Sequence, residues 1–332
     1  MSSMDKDGQL YRPAGLRLKN DTTVIRDDMR GAYPQVAVQK RLNLAFKPPA
    51  HPAGSWPASR ILEWAAQYIT RLDAEILLAY LLDVSRTELY IYEGEIEQEI
   101  IDRFGSLVDR RAAGEPLQYI LGRAEFMGLE FIVTPDVLIP RPETELLVET
   151  AINILNTQYS ILNTPCILDL GTGSGNIAIS LTKFLSDCKI KASDVSEAAL
   201  CIAGENAALN RAQNKIKFIL SDLFEGLEGH KFDIIISNPP YVARPQFDEL
   251  QREIGFEPRE ALDGGIDGLD FYRRIIKEAG AFLSEGGRLF LEIGFGQAEY
   301  IKSLFEKYCY KNVLFMEDYS GIERVAIGGW TN

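Results

Sequence analysis

Hydrophobic and polar positions alternate in two ways through the second half of the chain. Short apolar runs predict buried strands, and longer segments with apolar residues three and four positions apart predict helices. In chain order the predicted elements are Cys166–Leu170, Ile177–Leu185, Ile190–Asp194, Glu197–Asn210, Ile216–Leu220 and Phe232–Ser237. Strands and helices that alternate in this way are typical of right-handed βαβ units and predict an α/β fold with a parallel sheet.

The same alternation continues to the end of the chain. A predicted helix over Glu143–Leu155 precedes the first strand, and five further elements follow the strand Phe232–Ser237. These are Phe271–Leu283 as a helix, Arg288–Ile293 as a strand, Gln297–Lys307 as a helix, and strands near Val313–Glu317 and Glu323–Ile327. The α/β domain is therefore predicted to span residues 141–332.

The first half of the chain has a different pattern. Helical spacing begins near Ser59, continues in Ala74–Leu82 and again in Glu97–Ala113, and predicts a small helical domain over residues 55–114. Apolar segments at Gln118–Phe126 and Leu129–Thr134, joined at Met127-Gly128, predict a β-hairpin linker over residues 115–140. Residues 1–54 have no sustained periodicity and end in a proline-rich stretch, so a disordered extension is expected there.

Charge and composition narrow the class of partner. The formal net charge is −13, yet the first 54 residues carry nine Lys and Arg against five Asp and Glu. The remaining residues are therefore strongly acidic, which argues against a nucleic-acid partner held by phosphate contacts. Two histidines and four unpaired-looking cysteines do not form a metal-binding pattern. No apolar run approaches the roughly 20 residues of a membrane span, so a cytoplasmic location is expected.

The tetrapeptide Asn238-Pro239-Pro240-Tyr241 follows the predicted strand Phe232–Ser237. Both prolines lack a backbone N–H, and Asn238 is pushed toward an extended conformation because a proline follows it. The result is a stiff corner that offers carbonyl oxygens, one side-chain amide and an aromatic ring. Such a corner suits a planar –NH2 group, although a Pro-Pro pair alone is more often a plain loop.

Three further features follow the first three strands of the predicted sheet. Gly171-Thr172-Gly173-Ser174-Gly175 follows the first strand, and its glycines let the backbone approach a ligand closely. Asp194 ends the second strand, where a carboxylate can accept both ribose hydroxyls or cap the next helix. Asp222 follows the third strand, as an acceptor for an exocyclic amine or as a solvated turn residue. All of these residues, with Asn238, are predicted at one carboxyl edge.

This order of features resembles the class I S-adenosylmethionine-dependent methyltransferases, which have a Rossmann-like sheet. The resemblance implies S-adenosylmethionine as the cofactor. The residues that it assigns to the cofactor are Gly171, Thr172, Gly173, Ser174, Gly175, Asp194, Asp222, Leu223 and Asn238. Leu223 is expected to pack on the adenine by apolar contact.

Other segments narrow the resemblance further. Residues 114–122, 138–145 and 261–275, together with Phe126 and Gly128, resemble the release factor glutamine methyltransferases, the PrmC/HemK family. The resemblance covers about residues 58–330. It implies a peptide chain release factor as the protein partner, with methylation of the glutamine nitrogen in its Gly-Gly-Gln motif, and a helical domain that helps to bind that factor.

A positional mechanism follows for the predicted corner. The side-chain oxygen of Asn238 and the carbonyl of Pro239 are expected to accept the two N–H bonds of a substrate amide. Asn238, Pro239 and Tyr241 are thus predicted to be catalytic, and Pro240 to complete the substrate site. Tyr241 and, by the resemblance, Phe126 are expected to wall the glutamine chain, with ordinary core packing as their alternative. An enzyme acting on adenine N6 or guanine N2 of a nucleic acid shares such a corner and is the rival interpretation.

Overall fold

The computed structural model describes residues 55–158 and 164–331 of the 332-residue chain. The predicted disordered extension, residues 1–54, lies outside the described residues. Helices and short strands alternate at the start of the described part. Their bounds are β1 Ser55–Pro57, α1 Ala58–Ala65, α2 Arg71–Leu82, α3 Arg86–Tyr90, β2 Glu95–Glu97 and α4 Gln98–Ala112.

The helical part is held by its own apolar core and by good helix caps. Thr70 caps α2 by accepting a hydrogen bond from the backbone N–H of Asp73 at 3.1 Å. Leu77 and Phe104, from α2 and α4, are fully buried in the shared core. The strands β1 and β2 pair in antiparallel fashion and close one end of this part.

The segment between the helical part and the sheet corrects one prediction. A strand was expected over Gln118–Phe126, but its first residues form helix α5, Leu117–Leu121, and only β3, Arg123–Phe126, is extended. Pro116 precedes α5, and Gly122 ends it with a φ of 72°. The Tyr119 hydroxyl donates to the carbonyl of Val137 at 2.7 Å, so tertiary contacts favour the helix.

The predicted hairpin is present after α5. Strand β3 pairs antiparallel with β4, Leu129–Ile132, and the two strands meet at Met127-Gly128. Both turn residues have positive φ, at 53° and 69°, as a two-residue hairpin turn requires. The predicted second strand ran to Thr134 and is therefore two residues shorter in the structure.

The remaining elements form a seven-stranded sheet with helices on both faces. Their bounds are α6 Pro142–Gln158, β5 Cys166–Leu170, α7 Asn176–Phe184, β6 Lys189–Asp194, α8 Glu197–Leu209, β7 Ile216–Leu220, β8 Phe232–Ser237, α9 Asp270–Ala279, β9 Leu283–Glu292, α10 Ala298–Lys307, β10 Lys311–Glu317 and β11 Glu323–Gly329. The strand order is β10-β11-β9-β8-β5-β6-β7. The predicted α/β fold with a mostly parallel sheet is confirmed.

The sheet has two antiparallel pairings at one edge, and its strand order reverses at its centre. Strand β11 lies between β9 and β10 and runs antiparallel to both of them. From β5 the chain proceeds outward through β6 and β7, and it then returns to β8 on the other side of β5. The gap between the carboxyl ends of β5 and β8 is a topological switch point, where open α/β sheets bind ligands.

Alternate residues of the central strands face two separate apolar cores. Ile167 and Ile234 belong to the core under α6 and α7, and Leu168 and Ile235 belong to the core under α9 and α10. The hairpin strands β3 and β4 pack on the first of these faces through Phe126 and Phe131. Both faces of the sheet are thus covered, which explains why its strands are apolar throughout.

The region from β8 to β9 differs from the predicted pattern in two places. Three short 3₁₀ helices, Arg244–Glu249, Arg252–Phe256 and Arg259–Ala261, occupy a stretch for which no element was predicted. The predicted helix to Leu283 ends at Ala279, since β9 begins at Leu283 and includes a glycine pair at 286 and 287. Among the described residues no helix is both long and apolar enough to cross a membrane.

Candidate active site

A cleft opens at the carboxyl ends of β5, β6, β7 and β8. It lies at the switch point, where backbone groups at strand ends are free to meet a ligand. The structure brings eight of the predicted site residues to its surface. They are Gly171, Gly173, Asp194, Asp222, Leu223, Asn238, Pro239 and Pro240.

The glycine loop after β5 is folded against the end of β6. The backbone N–H groups of Gly171 and Thr172 both donate to the carbonyl of Ser193 at 2.8 Å. Gly171 and Gly173 have positive φ, at 75° and 54°, and a methyl group on either would meet no atom of the described residues within 4 Å. The loop therefore leaves an open cradle above these two glycines, as a closely bound ligand requires.

The other three loop residues face the protein rather than the cleft. Thr172 and Ser174 are buried at 2 % exposure. A methyl group at Gly175 would lie 3.1 Å from Ile179 and 3.2 Å from Ala203, so this glycine allows α7 and α8 to pack closely. These three residues are not among the described residues that line the cleft, and their contact with a cofactor stays a prediction.

Asp169 anchors the loop from below, and sequence reasoning did not single it out. Its Oδ2 accepts hydrogen bonds from the Thr172 hydroxyl at 2.6 Å and from the Ala178 backbone N–H at 3.1 Å. Its Oδ1 is buried and has no hydrogen-bond partner within residues 55–158 and 164–331. Complete burial raises the pKa of the Asp169 carboxyl to about 7. The acidic residue within an otherwise apolar strand was the signal that could have indicated this role.

Asp194 connects the loop to the start of α8. Its Oδ2 accepts from the Gly173 backbone N–H at 2.8 Å, and its Oδ1 accepts from that of Ser196 at 2.9 Å. The cap of α8 is Ser196, which excludes the alternative of Asp194 as that helix's N-cap. Burial raises the pKa of Asp194, against the lowering by these backbone N–H groups. Each carboxylate oxygen keeps a lone pair that can accept from a ligand hydroxyl.

The residues after β7 divide between the cleft and the core. Asp222 lies on the cleft and also accepts from Arg274 at 2.9 Å in a half-exposed ion pair. Leu223 lines the cleft with a φ of 51°. Phe224 instead is buried and stacks on Phe282, with ring centroids 4.7 Å apart. The aromatic ring of this segment is therefore part of the core, and the apolar contact facing the cleft comes from Leu223.

The corner after β8 is tied to both neighbouring elements. The Ser237 hydroxyl donates to the carbonyl of Leu170 at 2.7 Å, which joins the ends of β8 and β5. The Asn238 side-chain amide donates through Nδ2 to the Thr144 hydroxyl at 3.1 Å. This contact directs one end of the amide into the protein, and it leaves the oxygen as the acceptor for a ligand in the cleft.

The segment after the 3₁₀ helices holds the corner in place. The Val242 backbone N–H donates to Leu262, and its carbonyl accepts from Gly264, both at 2.9 Å. A methyl group at Gly264 would come within 2.8 Å of the Tyr241 Cα, and one at Gly268 would overlap the Tyr241 carbonyl. Glycine at these two positions is therefore required for the close approach of the two backbones.

The two predicted aromatic wall residues lie in different places. Tyr241 follows the cleft-lining Pro240 and is half-buried, with its hydroxyl 3.5 Å from Glu292, and burial raises its pKa. Its backbone carbonyl accepts from the side chain of Gln297 at 3.1 Å. Phe126 is 1 % exposed and packs edge-on against Phe131, with ring centroids 6.1 Å apart. The structure thus does not bring Phe126 to the cleft surface.

Residues outside the four strand ends complete the cleft, and sequence reasoning missed them. The 3₁₀ segment contributes Pro258, Glu260 and Ala261, and α9 contributes Phe271 and Ile275. The apolar members of this group face the strand ends across the cleft. No motif in these segments indicated their role beyond the family resemblance of residues 261–275.

The charge of the cleft limits what it can hold. Its surface carries the carboxylates of Asp136, Asp194, Asp222 and Glu260, and no Lys, Arg or His stands among the described residues that line it. A cleft lined by one sign of charge attracts ligands of the opposite sign. The residues therefore fit a cofactor that carries sulfonium and ammonium groups, whereas a diphosphate would be repelled.

Comparison with known proteins agrees with this geometry. Residues 144–265 match the family model described as the Methyltransferase small domain, and residues 58–122 match the PrmC N-terminal domain. The hMettl16 catalytic domain, solved in complex with the MAT2A 3′UTR hairpin 6, has a similar fold. That similarity has a TM-score of 0.50 at 17 % identity and covers 68 % of this chain and 82 % of that one.

Strand order, cleft position and these matches define the class of protein as a methyltransferase with the class I fold. Two proteins named release factor glutamine methyltransferase are similar over nearly their whole length. The one from Geobacter sulfurreducens is 40 % identical, and the one from Burkholderia pseudomallei 42 %, each covering 82 % of this chain and 96 % of the relative. The chain belongs to the release factor glutamine methyltransferase family.

Proposed function

We propose that this protein transfers a methyl group from S-adenosylmethionine to the side-chain amide nitrogen of the glutamine in the Gly-Gly-Gln motif of peptide chain release factors. The observation that carries the proposal is the position of Asn238 and Pro239 on the same cleft as the glycine cradle. Family membership supports the choice of a glutamine amide over a nucleobase.

The cofactor is assigned to the strand-end residues. Gly171 and Gly173 would give it an open backbone cradle, since both line the cleft and leave space above them. Asp194 would accept from its ribose, Asp222 would accept from its adenine amine, and Leu223 would pack on the adenine ring. S-adenosylmethionine supplies an electrophilic methyl group on a positively charged sulfur. The acidic cleft favours that charge in the bound state.

Asn238 and Pro239 position the substrate amide. The Asn238 side-chain oxygen and the Pro239 carbonyl accept its two N–H bonds, and this fixes the direction in which the nitrogen faces. Such orientation is worth up to about 7–11 kcal/mol in well-aligned systems, so a strong base is not needed. Tyr241 and Pro240 border the glutamine chain and keep water from it. The amide proton leaves to solvent after transfer.

The helical part is proposed to bind the body of the release factor. Tyr90 and Ile91, at the end of α3, are 68 % and 76 % exposed and offer an apolar contact. The hairpin of β3 and β4 links this part to the sheet. Because release factors act on ribosomes, we place the reaction in the cytoplasm.

A transfer assay with alternative acceptors tests the proposal. The protein is incubated with methyl-labelled S-adenosylmethionine and, separately, a release factor, the same factor with its Gly-Gly-Gln glutamine replaced by alanine, duplex DNA, or RNA. We expect label in the unchanged release factor alone. Label in DNA or RNA but not in the factor would favour the nucleic-acid interpretation and contradict the proposal.

A further inference from the structure

A short chain of hydrogen bonds runs from the cleft into the protein behind Asn238. Asn238 Nδ2 donates to Thr144 Oγ1 at 3.1 Å, and Thr144 Oγ1 lies 2.6 Å from Glu292 Oε2. Thr144 is 1 % exposed on α6, and Glu292 is 1 % exposed at the end of β9. Two elements far apart in sequence thus meet behind the predicted catalytic amide.

The polarity of this chain follows from the number of protons available. A threonine hydroxyl carries one proton and can accept through two lone pairs. When the Glu292 carboxylate accepts a hydrogen bond from the Thr144 hydroxyl, that hydroxyl has no second proton to donate. It can then only accept a hydrogen bond from Asn238. Asn238 must then present its –NH2 group to Thr144 and its oxygen to the cleft.

We propose that Thr144 and Glu292 are positioning residues that hold the Asn238 amide with its oxygen toward the cleft, an inference that rests on the proposed function. The oxygen is the atom that the substrate –NH2 group needs. A reversed amide would present two donors to two donors, and the substrate would not be held. The buried pair therefore sets the selectivity of the corner for a primary amide.

Protonation of Glu292 removes this constraint. A neutral carboxyl group can donate to Thr144, and the threonine proton is then free to point at the Asn238 oxygen. Both orientations of the amide become compatible with the chain. Activity is expected to fall as the carboxyl takes up its proton.

The surroundings of Glu292 place this change near neutral pH. Complete burial, with a smaller contribution from the nearby Glu143 charge, raises the pKa of Glu292 to about 7 against the lowering by Thr144, Arg324 and Tyr241. The Tyr272 hydroxyl on α9 donates to the Glu292 backbone carbonyl at 2.9 Å, whereas Thr144 and Tyr241 contact the side-chain carboxyl. The acid limb of the turnover profile is expected near pH 7.

Paired variants test the inference. Thr144→Val keeps the shape and removes the hydroxyl, and Thr144→Ser keeps the hydroxyl. Thr182→Val is the control, since Thr182 is also buried and its hydroxyl donates to the carbonyl of Ile179 within α7. We expect kcat on a release factor to fall about tenfold in Thr144→Val, as for one lost hydrogen bond. Thr144→Ser should restore it, and Thr182→Val should not change it.

The pH profile supplies a second readout. Glu292→Gln is neutral at all pH values, so the acid limb near pH 7 should be absent in this variant. S-adenosylmethionine affinity should stay within about threefold of the unchanged protein in every variant, because a positioning role acts on kcat. Full kcat in Thr144→Val, or an unchanged acid limb in Glu292→Gln, would overturn the inference.

A readout without turnover separates this inference from the proposed function. In protein labelled with ¹⁵N-asparagine, the side-chain –NH2 protons of Asn238, assigned with Asn238→Asp, should exchange slowly with solvent, and at least tenfold faster in Thr144→Val. If the unchanged protein methylates no release factor, the proposed function fails. Slow exchange of the Asn238 –NH2 protons that depends on Thr144 would still support the inference that Thr144 holds this amide. Fast exchange in the unchanged protein would contradict it.

Discussion

At the scale of single residues, Asn238 carries the proposed chemistry. Its side-chain –NH2 group donates to Thr144, and the residue lines the cleft, where its oxygen is proposed to accept from the substrate amide. The residues proposed to hold the cofactor by direct contact are Gly171, Gly173, Asp194, Asp222 and Leu223, which lie at the ends of β5, β6 and β7. Substrate orientation and cofactor binding are therefore separable by mutation.

Asn238→Ala should lower kcat on a release factor by about 100-fold or more, because the oriented acceptor is lost. The dissociation constant for S-adenosylmethionine should change by less than about threefold. Calorimetry for binding and single-turnover transfer for kcat provide the two measurements. Asp194→Ala is the matched variant with the opposite pattern, and an equal loss of affinity in both variants would make Asn238 a cofactor residue.

Asp169 and Glu292 make the stability of the fold depend on pH. Burial raises the pKa of both carboxyls to about 7, above their ordinary values of 3.8 and 4.5. At pH values between the ordinary pKa and the raised pKa of each carboxyl, the folded state binds more protons than the unfolded state. The free energy of unfolding therefore falls as the pH rises through this window. Each group contributes on the order of 3 kcal/mol to that fall.

Urea denaturation at pH 5.5 and pH 8.5 measures this effect. Carboxyls with lowered pKa, such as Asp318, stay ionised across this window in both states and do not contribute. Asp169→Asn should reduce the difference between the two pH values. A free energy of unfolding that rises with pH would rule out the buried neutral carboxyls.

Residue patterns in the sequence predicted the cleft-facing half of the site. Gly171, Asp194 and Asn238 each follow a strand, and the parallel order of the strands brings them together. Thr144 and Glu292 gave no comparable signal, because one lies in a helix start and the other ends an apolar strand. Their meeting depends on side-chain packing between α6 and β9, which a sequence pattern does not record.

At the scale of elements, one arginine joins the helical part to the segment beside the cleft. Arg111 on α4 pairs with Asp73 on α2 at 2.9 Å and with Glu253 in the second 3₁₀ helix at 3.1 Å. It also donates to the carbonyl of Glu115 at 3.2 Å. Three elements therefore depend on a single guanidinium group that is 17 % exposed.

Arg111→Ala should lower the free energy of unfolding by about 1–3 kcal/mol, because it leaves Asp73 half-buried without its cation. Chemical denaturation provides the measurement. Arg123→Ala is the control, since its pair with Glu130 is half-exposed and should be worth less than about 1 kcal/mol. Equal effects of the two variants would show that Arg111 does not join these elements energetically.

Element types were predictable where apolar strands and amphipathic helices alternate regularly along the chain. The strands from β5 to β8 and the helix α8 lie within about one residue of their predicted bounds. The short helix α5 was predicted as strand, because a few apolar residues fit either pattern and the contact of Tyr119 with Val137 decides between them. The 3₁₀ helices between β8 and α9 have no apolar periodicity, so their place on the cleft was not predictable.

At the scale of the whole molecule, charge and family membership point to one type of acceptor. The formal net charge is −13, and the cleft surface is itself acidic. Both features oppose a phosphate backbone and favour a cationic cofactor. The chain is about 40 % identical to release factor glutamine methyltransferases over 96 % of their length, including the helical part.

Mass spectrometry of a release factor after incubation with this protein and S-adenosylmethionine tests the central claim most directly. The peptide that contains Gly-Gly-Gln should gain the mass of one methyl group, and fragmentation should place it on the glutamine side chain. Asn238→Ala should leave that peptide unmodified over the same time. An unmodified Gly-Gly-Gln peptide with the unchanged protein, or a methyl group on any other residue, would contradict the account.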